Sequence, residues 1–421
     1  LITLLSATFT MLTAGTQYTF SLFGPQMAQV LGYSHLELAS IAAAASVGHY
    51  LSAPMVDAYV RHGPRKAWIA AAVLLTTGYA GFALLMEGQL LTTSPWLAAL
   101  FSALIGVGAT SACTVAATLM VRRFPWSSRG AVFSLALSFM GLAPLICALS
   151  SMFWFSTPAH QLPEERTATS EFLFCMALAF PAAVTVHLFR PRWHQSWSAT
   201  CPRRRSSAPS VPRPPVPSLK ERLVDPLFWC LWLISGILIG VCLMYINSIG
   251  SMAFQLAGDQ QSQTFVAASQ VAVFGLSNFL SRLVTGPLSD YTATSARISR
   301  LWFIVLAAIA LTCAQAMTYV SDTAPQLLVA SSICGFAFGM ICIVLPTIAS
   351  ELWDIAHVGR NTGLLALAPA AGGQIFTMLF GALYDRQLSW DDGDRCIGSE
   401  CYRDVFYVAI VSCLMAIAIA V

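Results

Sequence analysis

Runs of about 20 apolar residues recur along the whole chain, and nothing else in the sequence restricts the fold as strongly. Twelve can be drawn, at 1 to 31, 38 to 60, 67 to 87, 94 to 121, 130 to 155, 171 to 189, 227 to 256, 264 to 288, 301 to 320, 325 to 350, 361 to 384 and 404 to 421. At about 1.5 Å per residue, such runs cross a hydrocarbon layer about 30 Å thick. Within that layer each backbone amide and carbonyl must bond inside the chain, so helices are expected throughout. A chain that is 57% hydrophobic and 10% charged is no ordinary water-soluble domain. The expected class is an all-α membrane protein with twelve transmembrane helices. The chain starts without methionine and stops inside an apolar run, so further terminal residues are expected on both sides.

The cations give the orientation. Arg61, Arg65, Lys66, Arg122, Arg123, Arg129, Arg297, Arg300 and Arg360, with eight Lys or Arg between Arg190 and Arg222, occupy the joints after the even-numbered spans. The opposite joints hold only Arg166, Arg386, Arg395 and Arg403 among many acids. This bias places both termini in the cytoplasm. The net charge of +3 indicates no nucleic-acid partner.

One arginine fits neither set of joints. In F-G-L-S-N-F-L-S-R-L-V-T-G-P-L-S-D, Phe274 to Asp290, Arg282 lies near mid-depth. Insertion of a cation there costs about 2.5 to 3.5 kcal/mol, so such residues face a bundle interior, a partner or a water-filled path. Anion binding is the functional reading. A structural arginine bonded to backbone carbonyls, or one snorkelling to the surface, is the alternative.

An internal repeat divides the chain. Asp57, Pro54 and His49 in span 2 match Asp290, Pro287 and Arg282 in span 8, Gly106 matches Gly335, and L-A-P at Leu142 to Pro144 matches L-A-P at Leu367 to Pro369. All three matches fall six spans apart, which predicts two parallel-repeat six-helix bundles, 1–190 and 226–421. Residues 191–225 between them, rich in proline, serine and arginine, read as a disordered cytoplasmic linker.

Further polar residues inside the spans are candidates for a ligand cavity. Gln17, Tyr18 and Ser21 lie in G-T-Q-Y-T-F-S-L-F-G-P-Q of span 1, and Tyr245, Asn247 and Asn278 lie in spans 7 and 8, where bonds between helices are the competing explanation. His49 is the titratable group near mid-depth in the first half. Asp57 with Arg65, Asp290 with Arg297 and Glu351 with Arg360 are candidate gating pairs at the cytoplasmic face. Cys396 and Cys401 lie in an acidic loop on the other side, where a disulfide would close a small ring. No H-E-x-x-H, G-x-S-x-G, phosphate-cradling loop or metal-spaced Cys/His set is present, so neither an enzyme nor a metal site is expected.

The paired halves, the central linker and G-P-L-S-D at Gly286 to Asp290 before a basic loop resemble the major facilitator superfamily, whose loop signature is G-x-L-x-D followed by basic residues. The first-half copy departs from it, with Ala53 in place of the glycine. G-T-Q-Y-T-F-S-L-F-G-P-Q, S-R-L-V-T-G-P-L-S-D and N-T-G-L-L-A-L-A-P-A-A-G-G-Q-I-F are similar to the nodulin-like carriers and the fungal monocarboxylate-permease homologues. This resemblance implies an alternating-access carrier, monomeric in the bilayer of a plasma or vacuolar membrane, without a cofactor, moving a small organic anion such as a monocarboxylate. Proton-linked members of this type carry an aspartate four residues before the helix-8 arginine and a lysine in helix 1, where this chain has Asn278 and Leu22. Facilitated transport and proton symport both stay open, as do a non-transporting receptor or scaffold and a carrier of a neutral or cationic solute.

Overall fold

The computed structural model describes residues 2–62, 64–90, 92–123, 129–156, 169–179, 224–256, 260–352, 358–390 and 399–421. In chain order the helices are α1 (Ile2–Gly15), a 3₁₀ stretch (Thr16–Leu22), α2 (Gly24–Leu31), α3 (His35–His62), α4 (Pro64–Met86), α5 (Pro95–Arg123) and α6 (Arg129–Ser156). They continue as α7 (Thr169–Ala179), α8 (Pro226–Leu256), α9 (Gln260–Tyr291), α10 (Leu301–Tyr319), α11 (Ala324–Leu352), α12 (Val358–Trp390) and α13 (Arg403–Ala420). Nine of the described helices are long and apolar enough to cross a membrane. The linker expected at 191–225 falls almost wholly outside the described residues, as do the ends chosen for the two halves.

Sequence chemistry explains the interruption in the first span. Thr10, Thr13, Thr16 and Thr19 each turn their hydroxyl back onto a carbonyl three or four residues earlier, at 2.6–2.8 Å. Such back-bonds compete with the helical ladder and bend it. From Thr16 the chain tightens to 3₁₀ geometry before Pro25 opens α2. The Thr16 carbonyl accepts a bond from the Tyr79 hydroxyl of α4 at 2.9 Å, a partner from a neighbouring helix. A 3₁₀ segment inside a span marks strain or a functional hinge, and this one carries Gln17 and Tyr18.

Helix packing in the first half recurs in the second. α3 packs on α5 as α9 packs on α11, α4 on α5 as α10 on α11, and α1 on α6 as α8 on α12. Close backbone approach at one glycine in each half sets the register. A Cβ on Gly106 would collide with the Ala45 carbonyl, and one on Gly335 would collide with the Phe274 carbonyl, the same sequence separation in both halves. In this register His49 corresponds to Asn278. The sequence match of His49 with Arg282 is therefore displaced by one helical turn, because it was anchored on the two aspartates at the helix ends.

Two seams join the halves, α6 against α9 and α3 against α12. Small residues permit the first. A Cβ on Gly275 would lie 2.7 Å from the Leu145 amide, and one on Gly141 would lie 3.0 Å from the Phe279 amide. At the basic-loop end of this seam the Ser134 hydroxyl donates to the Arg282 carbonyl at 2.7 Å.

Candidate functional site

The arginine of α9 sits on the seam between the halves. Its side chain is among the largest that are fully enclosed, with 1% of its surface exposed. Nε donates to Asn278 Oδ1 one turn earlier at 2.8 Å, and Nη1 donates across the seam to the Leu137 carbonyl of α6 at 3.2 Å. The guanidinium carbon lies 5.8 Å from the centre of the Phe338 ring of α11. Every partner is neutral, and no carboxylate pairs with this cation among the described residues. The carbonyl bond belongs to the structural alternative, yet a single carbonyl and an amide do not neutralise a charge.

Around this cation the fold gathers residues from both halves. Tyr18 of the 3₁₀ stretch meets the other face of the site, its ring edge-on to Phe338 at 5.7 Å. Tyr18, His49, Tyr50, Cys113 and Cys342 all lie within electrostatic reach of the Arg282 guanidinium. The His49 ring stands edge-on to Tyr50 at 4.9 Å, and its carbonyl accepts from Thr110 of α5 at 2.6 Å. Gln17 Oε1, His49 Nδ1 and Asn278 Nδ2 are all buried without a hydrogen-bond partner. Buried polar groups ordinarily find partners, and these three unmet ones lie on residues within or beside this cluster.

Two candidates from span 7 have different surroundings. Asn247 also carries an unmet Nδ2. Tyr245, by contrast, shares a hydroxyl–hydroxyl bond with Ser331 at 3.0 Å, and Ser331 donates to Gln270 Oε1 at 2.7 Å, inside the second half. Its ring stacks on Phe274 at 6.4 Å. The structure therefore brings Arg282, Asn278, Tyr18, Gln17 and His49 together and sets Tyr245 apart. It adds Tyr50 and Phe338, which sequence reading missed because an apolar helix offers no signal for which of its aromatic residues turns inward.

At the basic-loop end, the anchor of the second half is Arg300. Its Nη2 bonds Asp290 at 2.7 Å and its Nη1 bonds Glu351, joining the end of α9 to the end of α11. The partners expected for these acids were Arg297 and Arg360. Arg297 is instead exposed, in a left-handed conformation (φ 53°) that ends a short π-helical turn at Thr292–Ala296 and aims it elsewhere. The side chains of Asp57, Arg65 and Arg360 lie outside the described residues. Cys401 is disulfide-bonded, and Cys396 lies outside the described residues. Among the described residues no group of three or more His, Cys, Asp or Glu is placed to hold a metal ion.

Comparison with known proteins identifies the architecture. A D-xylose–proton symporter superposes with a TM-score of 0.68 at 15% identity, covering 98% of this chain and 96% of that one. A bacterial homologue of the human lysosomal transporter Spinster, in an inward-facing and occupied conformation, superposes with a TM-score of 0.60 at 14% identity over 99% and 95% of the two chains. Among sequence relatives, a probable transporter MCH1 of Wickerhamomyces anomalus is 27% identical over 89% of this chain and 77% of its own length. Another of the same name from Gibberella zeae is 23% identical over 100% and 88%. The sequence model of the Major Facilitator Superfamily matches residues 5–377. With this match over most of its length and two six-helix halves meeting along paired seams, the chain belongs to the Major Facilitator Superfamily of transporters.

Proposed function

We propose that this transporter moves a small organic anion, of the monocarboxylate class, by alternating access, with Arg282 as the group that meets the ligand charge. The observation that carries the reading is a fully enclosed guanidinium on the seam between the halves, bonded only to neutral groups. A ligand carboxylate supplies the missing counter-charge through short, charge-assisted bonds. Asn278, Gln17, Tyr18 and His49 complete the site, with the unmet amide of Asn247 as a further ligand group. Because no buried acid stands beside the arginine among the described residues, the ligand itself is the group that neutralises it, and an imposed pH gradient decides between facilitated transport and proton symport. The basic loops face the cytoplasm in this reading, Arg300 with Asp290 and Glu351 braces that face, and Cys401 pairs with Cys396 on the other.

Uptake of labelled small monocarboxylates into liposomes holding the purified protein tests the proposal, with and without an imposed pH gradient. Saturable uptake that Arg282→Gln removes is the expected result. Undiminished uptake by that variant at equal incorporation would assign the arginine a purely structural role.

A further inference from the structure

At the end of the bundle opposite Arg300, the start of α3 is tied to the end of α12 by bonds that its own sequence leaves vacant. A helix begins with amides that have no partner within it. In S-H-L-E, Ser34 to Glu37, a local capping box serves two of them: Glu37 Oε2 accepts from the Ser34 amide at 2.9 Å, and Ser34 Oγ accepts from the Glu37 amide at 3.2 Å. The amides of His35 and Leu36 lie between and are not reached by that box. Both are taken by one carboxylate of the other half, Asp385 Oδ1 from His35 and Oδ2 from Leu36, each at 2.9 Å.

Three further features belong to the same contact. The His35 ring lies on the Tyr384 ring with centroids 3.9 Å apart. Gly381, one turn before Asp385, lets the backbones touch, since a Cβ there would lie 2.7 Å from the His35 carbonyl. A cavity of about 220 Å³ lined in part by Tyr33, His35, Ser251 and Phe254 adjoins the contact. The helix dipole favours a negative charge at this position, and both His35 and Asp385 are half-buried, so water can replace either partner when they separate.

From this arrangement we propose that Asp385 is the clasp that holds the two halves together at this end during transport, a positioning residue for the cycle that does not touch the substrate. Closing this end forms two charge-assisted bonds between halves, and opening it returns both amides and the carboxylate to water. The bond pair thereby stabilises one conformation of the carrier over the other and sets the population from which each turnover starts. The inference is independent of which solute is carried.

Hydrogen–deuterium exchange of the protein in lipid nanodiscs tests it without a substrate. Asp385→Asn and Asp385→Ala should raise exchange about tenfold or more in the peptide spanning Tyr33 to Glu37, and also in the facing segment around Gly381, with Asp385→Glu closer to native. The segments around Asp290 and Glu351 should show no rise, which separates a released clasp from general unfolding. Unchanged exchange in both variants would overturn the proposal. So would a rise confined to the α3 peptide, because that pattern describes a helix cap and not a clasp between halves.

Discussion

Replacing Arg282 with glutamine separates its cost from its use. In the ligand-free protein, the arginine gains two bonds from a charged donor, one to Asn278 and one to Leu137. At about 1.5 to 3 kcal/mol each, these offset a mid-depth insertion cost of about 2.5 to 3.5 kcal/mol and leave a surplus of at most about 3.5 kcal/mol. Glutamine keeps one amide donor near the same carbonyl and carries no charge. The thermal midpoint of the ligand-free variant should therefore stay within a few degrees of native. Ligand binding is another matter, because an anion that meets a neutral amide in place of the guanidinium loses at least one charge-assisted bond, about 1.5 to 3 kcal/mol, or roughly 10- to 100-fold in affinity. Arg282→Lys keeps the charge but not the planar fork, and it should fall between the two. Proteoliposome uptake gives the affinity and a detergent-phase melt gives the stability. A variant that melts far lower yet transports with native kcat/KM would refute the reasoning, since the arginine would then serve the fold alone.

Three other perturbations follow from the same contacts. Gly275→Val puts side-chain atoms where a Cβ already lies 2.7 Å from the Leu145 amide, and overpacking of this kind costs about 1 to 3 kcal/mol. The expected result is a lower melting midpoint together with slower uptake, and normal values of both would mean that the α6–α9 seam tolerates separation. Arg300→Gln frees Asp290 and Glu351, both of which are half-exposed at 53%, so stability should fall by no more than about 1 kcal/mol and the difference should shrink in high salt. A salt-independent loss of several kcal/mol in chemical denaturation would contradict that reading. The ring of His35 is held below the ordinary imidazole pKa, chiefly by burial, with the Asp385 charge acting in the opposite sense. Its folded value lies below the unfolded one, so its contribution is complete above about pH 6.5 and declines as pH falls through that value toward the folded pKa. Once the intrinsic slowing of exchange at lower pH is divided out, protection of the Tyr33–Glu37 peptide should accordingly fall below about pH 6.5, and His35→Gln should flatten that dependence.

How far the sequence carried can be seen residue by residue. A run such as Pro226–Leu256, without a single charge, can only be a helix in lipid, and the repeated Gly106 and Gly335 pointed to two like halves. Arg282 was conspicuous because charge is so costly at its depth, and Asn278 lies one turn from it by helical geometry alone. Partners beyond one turn were not legible. Asp290 and Glu351 both sit near several loop cations, and only the fold selects Arg300, because the left-handed turn at Arg297 directs that residue outward.

Composition and periodicity thus determined the class, the twelve spans and the one cation that needs a reason, since the insolubility of backbone and charge in hydrocarbon acts on each segment by itself. The tertiary structure alone decided that His49 stands opposite Asn278 in the repeat, that Phe338 and Tyr50 close on the arginine, and that Asp385 completes the start of α3. Each of those depends on how one helix is rotated and offset against another. That is settled by small-residue contacts at the seams, where many apolar sequences would serve equally and a single glycine sets the register.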